Sequence, residues 1–178
     1  HLLQRLSGSL EQQLLAIINE EPVLQRLLTK ANIVQPCATL KGYSANVTTL
    51  ATNKFALLGN AGEFLDPVFS SGVTIAMQSA SMAVACLHKQ LNGQKIDWDS
   101  QYSEPLMQGV NTFRTYVQAW YDGRFQDVIF YQQANNTIKQ MICSILAGYA
   151  WDMNNPFVKE SERRLNTIVE LCREPNVA

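Results

Sequence analysis

The sequence predicts an α+β fold that is mainly α, with a few strands over about residues 33–58 followed by a helical region. Three observations carry that prediction. From Ile33 to Leu58 the texture is β-branched and aromatic, broken by turn signals at Gln35-Pro36, Lys41-Gly42 and Thr52-Asn53. From Ser70 onward, apolar residues recur at helical spacing. The 178 residues are 47% hydrophobic and 16% charged, enough to bury a core of single-domain size. The charged share lies well below the roughly 25% of an average domain. Two explanations stay open: a face meant to meet another piece of protein, or a surface rich in Gln and Asn.

Ser9 and Gln12 form a capping box before Leu10, Leu14, Ile17 and Ile18, which share a helical face. A second short helix is expected from Pro22, with Val23, Leu24, Leu27 and Leu28 apolar. Within the strand-rich stretch, Phe55–Leu58 is a fully apolar run that fits a buried parallel strand. The next helix, about Ser70 to Asn92, carries Val73, Ala76, Met77, Ala80, Ala83, Val84, Leu87 and Leu91 at helical spacing and stops at Asn92-Gly93. A long helix is expected over Asp97–Trp120, kinked or restarted near Glu104-Pro105. Asp122-Gly123 breaks the chain before helices at about 124–151 and 156–172, the last opened by Asn155-Pro156. The aromatic cluster Phe113, Tyr116, Trp120, Tyr121, Phe125, Phe130 and Tyr131 reads as helix packing more readily than as a substrate box.

Chemistry concentrates between Leu57 and Ala76, where an apolar run breaks into glycines and reopens as a helix rich in small residues. At Gly59 and Gly62 the missing side chains allow the backbone to approach a ligand closely. The following helix then directs its unpaired N–H groups at whatever sits there, an arrangement suited to an anion or to the carbonyl-rich edge of a flavin.

At these residues the chain resembles the FAD-dependent halogenases and related monooxygenases and reductases of the glutathione-reductase-like flavoprotein class. Their second FAD motif reads roughly Gly-Asp-Ala-Ala-x-Phe-x-Asp-Pro-x-Phe-Ser-[Ser/Thr]-Gly-Val, and Gly59, Ala61, Phe64, Asp66, Pro67, Phe69, Ser70, Ser71, Gly72 and Val73 fall on it. The Tyr102-x-Glu104 and Tyr121–Phe125 stretches are similar to the helical C-terminal part of that class. The resemblance implies FAD as cofactor, held by Gly59, Asn60, Ala61, Asp66, Pro67, Ser70, Gly72 and Val73, with Pro67 against the isoalloxazine. It also implies a halide position at Ser71 and Gly72, and it assigns no catalytic residue. At Asn60 the family pattern has an aspartate that accepts a hydrogen bond from the ribityl chain. The amide oxygen still accepts, more weakly for want of charge.

The resemblance further implies an organisation. Residues 1–34 would be the helical end of a missing N-terminal or substrate part, 35–92 the C-terminal piece of the FAD-binding domain, and 93–178 a helical C-terminal region. No Gly-x-Gly-x-x-Gly turn to grip the FAD pyrophosphate occurs in the sequence. Neither do the family's catalytic lysine and Trp-x-Trp-x-Ile-Pro stretch, since Trp98, Trp120 and Trp151 are scattered. The chain therefore reads as the C-terminal portion of a larger enzyme, the N-terminal half of the same polypeptide being its first partner. His1, without a methionine start, fits a truncated or processed product. Alone, the piece is expected to bind FAD poorly, to be inactive and to self-associate.

A net charge of −1 with no basic stripe argues against nucleic acid. The longest strongly apolar stretch, Met141–Trp151, is too short for a bilayer, which needs about 20 residues. Widely spaced Cys37, Cys86, Cys143 and Cys172 fit buried reduced thiols of a cytoplasmic protein better than a disulfide or metal site. Two function classes follow. One is an FAD-dependent oxidoreductase of the halogenase or monooxygenase kind, with a small-molecule substrate, a flavin reductase and a halide as partners and a reductase or dehydrogenase as variant. The other is a helical interaction module that kept the fold and lost the flavin, supported by Asn60.

Overall fold

The computed structural model describes residues 5–132 and 135–174. His1 and a short part of the stretch expected to be helical over 124–151 lie outside the described residues. Two compact units make up the chain, His1–Gly42 and Tyr43–Ala178.

In the first unit, helix α1 (Leu10–Glu20) starts at the expected capping box. The Gln12 N–H donates to Ser9 Oγ at 3.3 Å, and the Ser9 N–H donates back to Gln12 Oε1 at 2.8 Å. Helix α2 (Pro22–Leu28) follows at once, its first N–H groups donating to the Glu21 carboxylate at 2.9 and 3.0 Å. Neither helix buries a residue. Leu14, Leu24 and Leu27 are exposed, and a groove of about 700 Å³ runs between Leu15, Ile18, Pro22, Leu28 and Ile33.

The second unit opens with far less sheet than the 33–58 texture suggests. Among the described residues its strands are β1 (Ala45–Asn46) and β2 (Glu63–Phe64), which pair antiparallel, Ala45 opposite Phe64. Phe55–Leu58 is not a parallel strand. It is the return arm of a tight hairpin, bridged at Ala51 and Ala56, in which the Thr52 N–H donates to Phe55 O and the Leu57 N–H to Leu50 O, both at 2.8 Å. Phe55 and Leu58 remain exposed. The backbone of this run pairs antiparallel with the preceding 50–52 segment, and no parallel neighbour lies beside it among the described residues.

Helix α3 (Gly72–Leu91) then runs for 20 residues. A π-helical turn over Asp99–Ser103 leads into α4 (Glu104–Tyr121). The expected kink near Pro105 takes this form because proline supplies no N–H, and the wider turn accommodates the lost bond. Gly123, with φ of 88°, turns the chain into α5 (Arg124–Ile129). Helices α6 (Asn136–Leu146), α7 (Pro156–Lys159) and α8 (Ser161–Arg173) complete the unit.

The core gathers on α4. Leu106, Val110, Phe113, Tyr116 and Val117 are buried there, joined by Phe125, Ile142, Ile145, Phe157, Leu165 and Val169 from the later helices. Phe125 meets Tyr116 edge to face at 5.1 Å, a favoured aromatic geometry. Burial pushes the Tyr116 phenol far above its ordinary pKa, and its hydroxyl donates to Phe157 O at 3.2 Å. Gly109 is required where Trp151 lies flat on α4: a Cβ there would come within 2.1 Å of the indole, whose Nε1–H donates to Pro105 O at 3.0 Å. Arg124 ties α5 to α8 through Glu162 at 2.7 Å and also binds Asp122. Of the four cysteines, all free thiols, Cys86 is buried and Cys143 is exposed, which departs from the expectation that all are buried.

Candidate functional site

The 57–76 stretch folds into a connected wall around a cleft of about 670 Å³. Gly59 opens a 3₁₀ turn over Gly59–Ala61 with φ of 52°, a left-handed value natural to glycine. A Cβ on it would sit 2.9 Å from the Ala76 methyl, so the turn lies directly on α3. Its N–H donates to the buried Ser79 Oγ at 2.9 Å, and Ser79 in turn donates to Ala76 O at 3.0 Å. Two residues before Gly59, Leu57 O accepts from the hydroxyl of the fully buried Tyr102 at 2.6 Å. Desolvation holds that phenol above its ordinary pKa, so it remains a donor at neutral pH.

The chain next crosses β2 and forms a second 3₁₀ turn, Pro67–Phe69, capped by Asp66, whose Oδ1 accepts from the Val68 N–H at 2.8 Å. Ser70 ends this turn with φ of 52°, the one non-glycine residue in the left-handed region among those described. Such a conformation costs of order 1–3 kcal/mol and is held here by its surroundings. Phe69 anchors the turn to the helical core, edge to face on Trp120 at 5.8 Å and on Phe125 at 5.6 Å.

Helix α3 begins beside the cleft with no side chain capping it. Its first N–H groups, which have no intrahelical acceptor, and the positive end of its dipole therefore lie at the cleft wall. The side chain of Asn60 overlooks that helix start: a Cβ on Gly72 would lie 3.4 Å from Asn60 Oδ1. Gly59, Asn60, Asp66, Pro67, Ser70, Ser71, Gly72 and Val73 all line the cleft, with Leu58, Ile75 and Ala76 as apolar wall. Ala61, although on the sequence pattern, is exposed and lies outside the cleft lining. The arrangement can accept a flat, partly polar ligand edge and neutralise partial negative charge.

Several residues take part in ways that the sequence does not assign to them. Ser79 supports Gly59 from 20 residues away. Glu63, buried in the cleft wall, is neutralised by Arg114 from α4 at 2.7 Å. Asp66 Oδ2 accepts from the hydroxyls of Tyr43 and Tyr121 at 3.3 and 3.0 Å. These partners lie 20 to 55 residues apart in the chain, and only folding brings them together. Among the described residues no group of His, Cys, Asp and Glu could hold a metal ion, and no helix is long and apolar enough to cross a membrane.

No family model matches the chain. A tryptophan 2-halogenase of Chondromyces crocatus is 34% identical over 92 residues, covering 51% of this chain and 18% of that protein. The flavin-dependent halogenase rdc2 of Metacordyceps chlamydosporia is 28% identical over 100 residues, 55% of this chain and 19% of that protein. The crystal structure of a flavoprotein/dehydrogenase from Cytophaga hutchinsonii superimposes with a TM-score of 0.85 at 37% identity, covering 96% of this chain and 42% of that one. The chain thus spans about a fifth of the length of the curated relatives it matches and less than half of the solved chain. The relatives in sequence are flavin-dependent halogenases and the neighbour in fold is a flavoprotein/dehydrogenase, so both likenesses are to flavoproteins.

Proposed function

We propose that residues 59–73 hold the ribityl and pyrimidine side of FAD in a flavin-dependent oxidoreductase resembling the halogenases. The observation that carries this reading is the uncapped start of α3 facing the cleft, with Gly72 bare beneath Asn60. Those free donors suit the carbonyl edge of a flavin ring, and the absent Cβ leaves room for it. Bound there, FAD would supply the redox chemistry, and the protein's task is to place it. Asn60 would accept a ribityl hydroxyl, Pro67 would lie along the ring, and the buried Ser71 with Gly72 would offer donors to the pyrimidine edge or to a halide. A small-molecule substrate and a flavin reductase belong to the same reading.

The face of α3 turned away from this core supports a second part of the proposal. Val73, Met77, Val84, Leu87 and Leu91 are exposed along it, and we infer that the remainder of a flavoprotein polypeptide covers them. That remainder would also grip the FAD pyrophosphate, for which this chain has no glycine fingerprint.

The test is the visible absorption spectrum of the full-length polypeptide, purified with added FAD and then desalted. Flavin bands at one equivalent are expected, and Gly72→Val should reduce retained flavin about tenfold by filling the space beneath Asn60. A colourless protein overturns the reading and favours the flavin-free interaction module, for which Asn60 is the supporting residue. If flavin is retained, turnover with and without halide separates halogenation from the dehydrogenase variant that the structural likeness supports.

A further inference from the structure

We propose that Tyr43 and Tyr121 are positioning residues for the flavin, acting through the carboxylate of Asp66; the inference rests on reading the cleft as a flavin site. Both hydroxyls donate to the same oxygen, Asp66 Oδ2, from 23 and 55 residues away, while Oδ1 caps the turn that carries Pro67. An ionised carboxylate has acceptor sites for all three donors. Held on both oxygens, the Asp66 side chain cannot rotate without losing a charge-assisted bond.

Neither tyrosine is there for burial. Tyr121, the last residue of α4, is 62% exposed, and Tyr43 is 46% exposed with its ring edge on Phe64 at 6.0 Å. Their common contact is Asp66 Oδ2, to which both hydroxyls donate. Desolvation, then the bond to Asp66, holds the Tyr121 phenol above its ordinary pKa, so it stays protonated and donating at neutral pH.

The turn is consequently fastened at both ends. Phe69 is packed into the aromatic core on one side, and Asp66 is clamped by two phenols on the other. Between them lie Pro67 and the left-handed Ser70, both in the cleft wall and immediately before the free N–H groups of α3. A rotation at Asp66 would therefore displace the backbone that faces the ring, whereas the helical core would not register it.

The experiment uses the full-length polypeptide and four variants: Tyr121→Phe, Tyr43→Phe with Tyr121→Phe, Asp66→Asn, and the triple combination. Asp66→Asn keeps a capping oxygen but replaces the clamped oxygen with a donor. FAD affinity is read by fluorescence titration, flavin reduction potential by dye equilibration, and amide exchange by mass spectrometry over residues 66–71. Tyr121→Phe is expected to weaken FAD binding about fivefold and the double variant about twentyfold, with a shifted potential and faster exchange confined to the turn. The triple variant should bind no more weakly than Asp66→Asn, because residues acting through one group are not additive. Unchanged affinity, potential and exchange in the double variant overturn this proposal alone. A colourless wild type overturns it together with the reading of the cleft.

Discussion

Helices α3 and α4 are 20 and 18 residues long, and each carries a continuous apolar stripe. They use those stripes in opposite ways. Helix α4 turns Leu106, Val110, Phe113 and Val117 inward and is the backbone of the core. Helix α3 turns most of its bulky side chains outward, with Val73, Met77, Val84, Leu87 and Leu91 exposed, and rests on the unit through Ile75, Ser79, Ala83 and Cys86. The reason is local. Gly59 lies on α3 with its N–H on Ser79, and the small side chains of Ala76 and Ser79 at that contact allow a bare backbone to come so close. The comparison teaches that periodicity identifies a helix and its stripe, while the choice of buried face depends on what the rest of the fold presses against it.

The sharpest way to break this comparison is a matched pair of truncations. Leu106→Ala on α4, at 2% exposure, should destabilise the chain by about 2–5 kcal/mol. Leu91→Ala on α3, at 77% exposure, should cost under about 0.5 kcal/mol. Urea unfolding of the two variants measures the difference, and equal losses would mean that α3 buries its stripe. Repeating Leu91→Ala in the full-length polypeptide sharpens the point, since a cost that rises there identifies the face as covered.

A smaller effect is expected where α6 and α7 meet. Asn155 is buried, accepts from the Phe157 N–H at 2.9 Å and donates to Met141 O at 2.8 Å and Ser144 Oγ at 3.1 Å. Asn155→Ala removes a cap and leaves Met141 O without this donor, so a loss of about 1–2 kcal/mol in the same unfolding assay is expected.

The smallest concerns pH. The hydrogen bond from Arg124 holds the Asp122 carboxyl below its ordinary pKa. A depressed folded-state pKa gives stability that is present above the ordinary carboxylate range and lost as pH falls through the folded value. Because the Asp122 side chain is 45% exposed and the pair is screened by solvent, Asp122→Asn should cost under about 1 kcal/mol at pH 7 and nothing once pH falls below the folded value. Chemical denaturation at the two pH values checks the sign.

Much of the helical part could be read directly from residues. The capping box at Ser9 and Gln12, the proline starts at Pro22 and Pro156, the stop at Asn92-Gly93 and the disturbance at Pro105 are all local chemistry, and each stands where the residues place it. The 33–58 stretch was less legible. Its β-branched residues favour extended backbone, but a strand exists only with a partner, and these residues find little more than a short hairpin and a two-residue ladder. In the cleft, the glycines and the Asp66-Pro67 turn announced themselves because their backbone requirements are local. The contacts of Ser79, Arg114, Tyr43 and Tyr121 there did not, since nothing in the sequence says which distant group a tyrosine, an arginine or a serine within a helix will meet.

By itself, then, the sequence determined several helix starts and stops and the glycine turns that now border the cleft, because caps, prolines and glycines act within a few residues of themselves. Only the tertiary structure decided which face of α3 is buried, which oxygen of Asp66 is clamped and which arginine neutralises Glu63. Those are contacts between segments far apart in the chain, and their geometry is fixed by packing rather than by any neighbour in sequence.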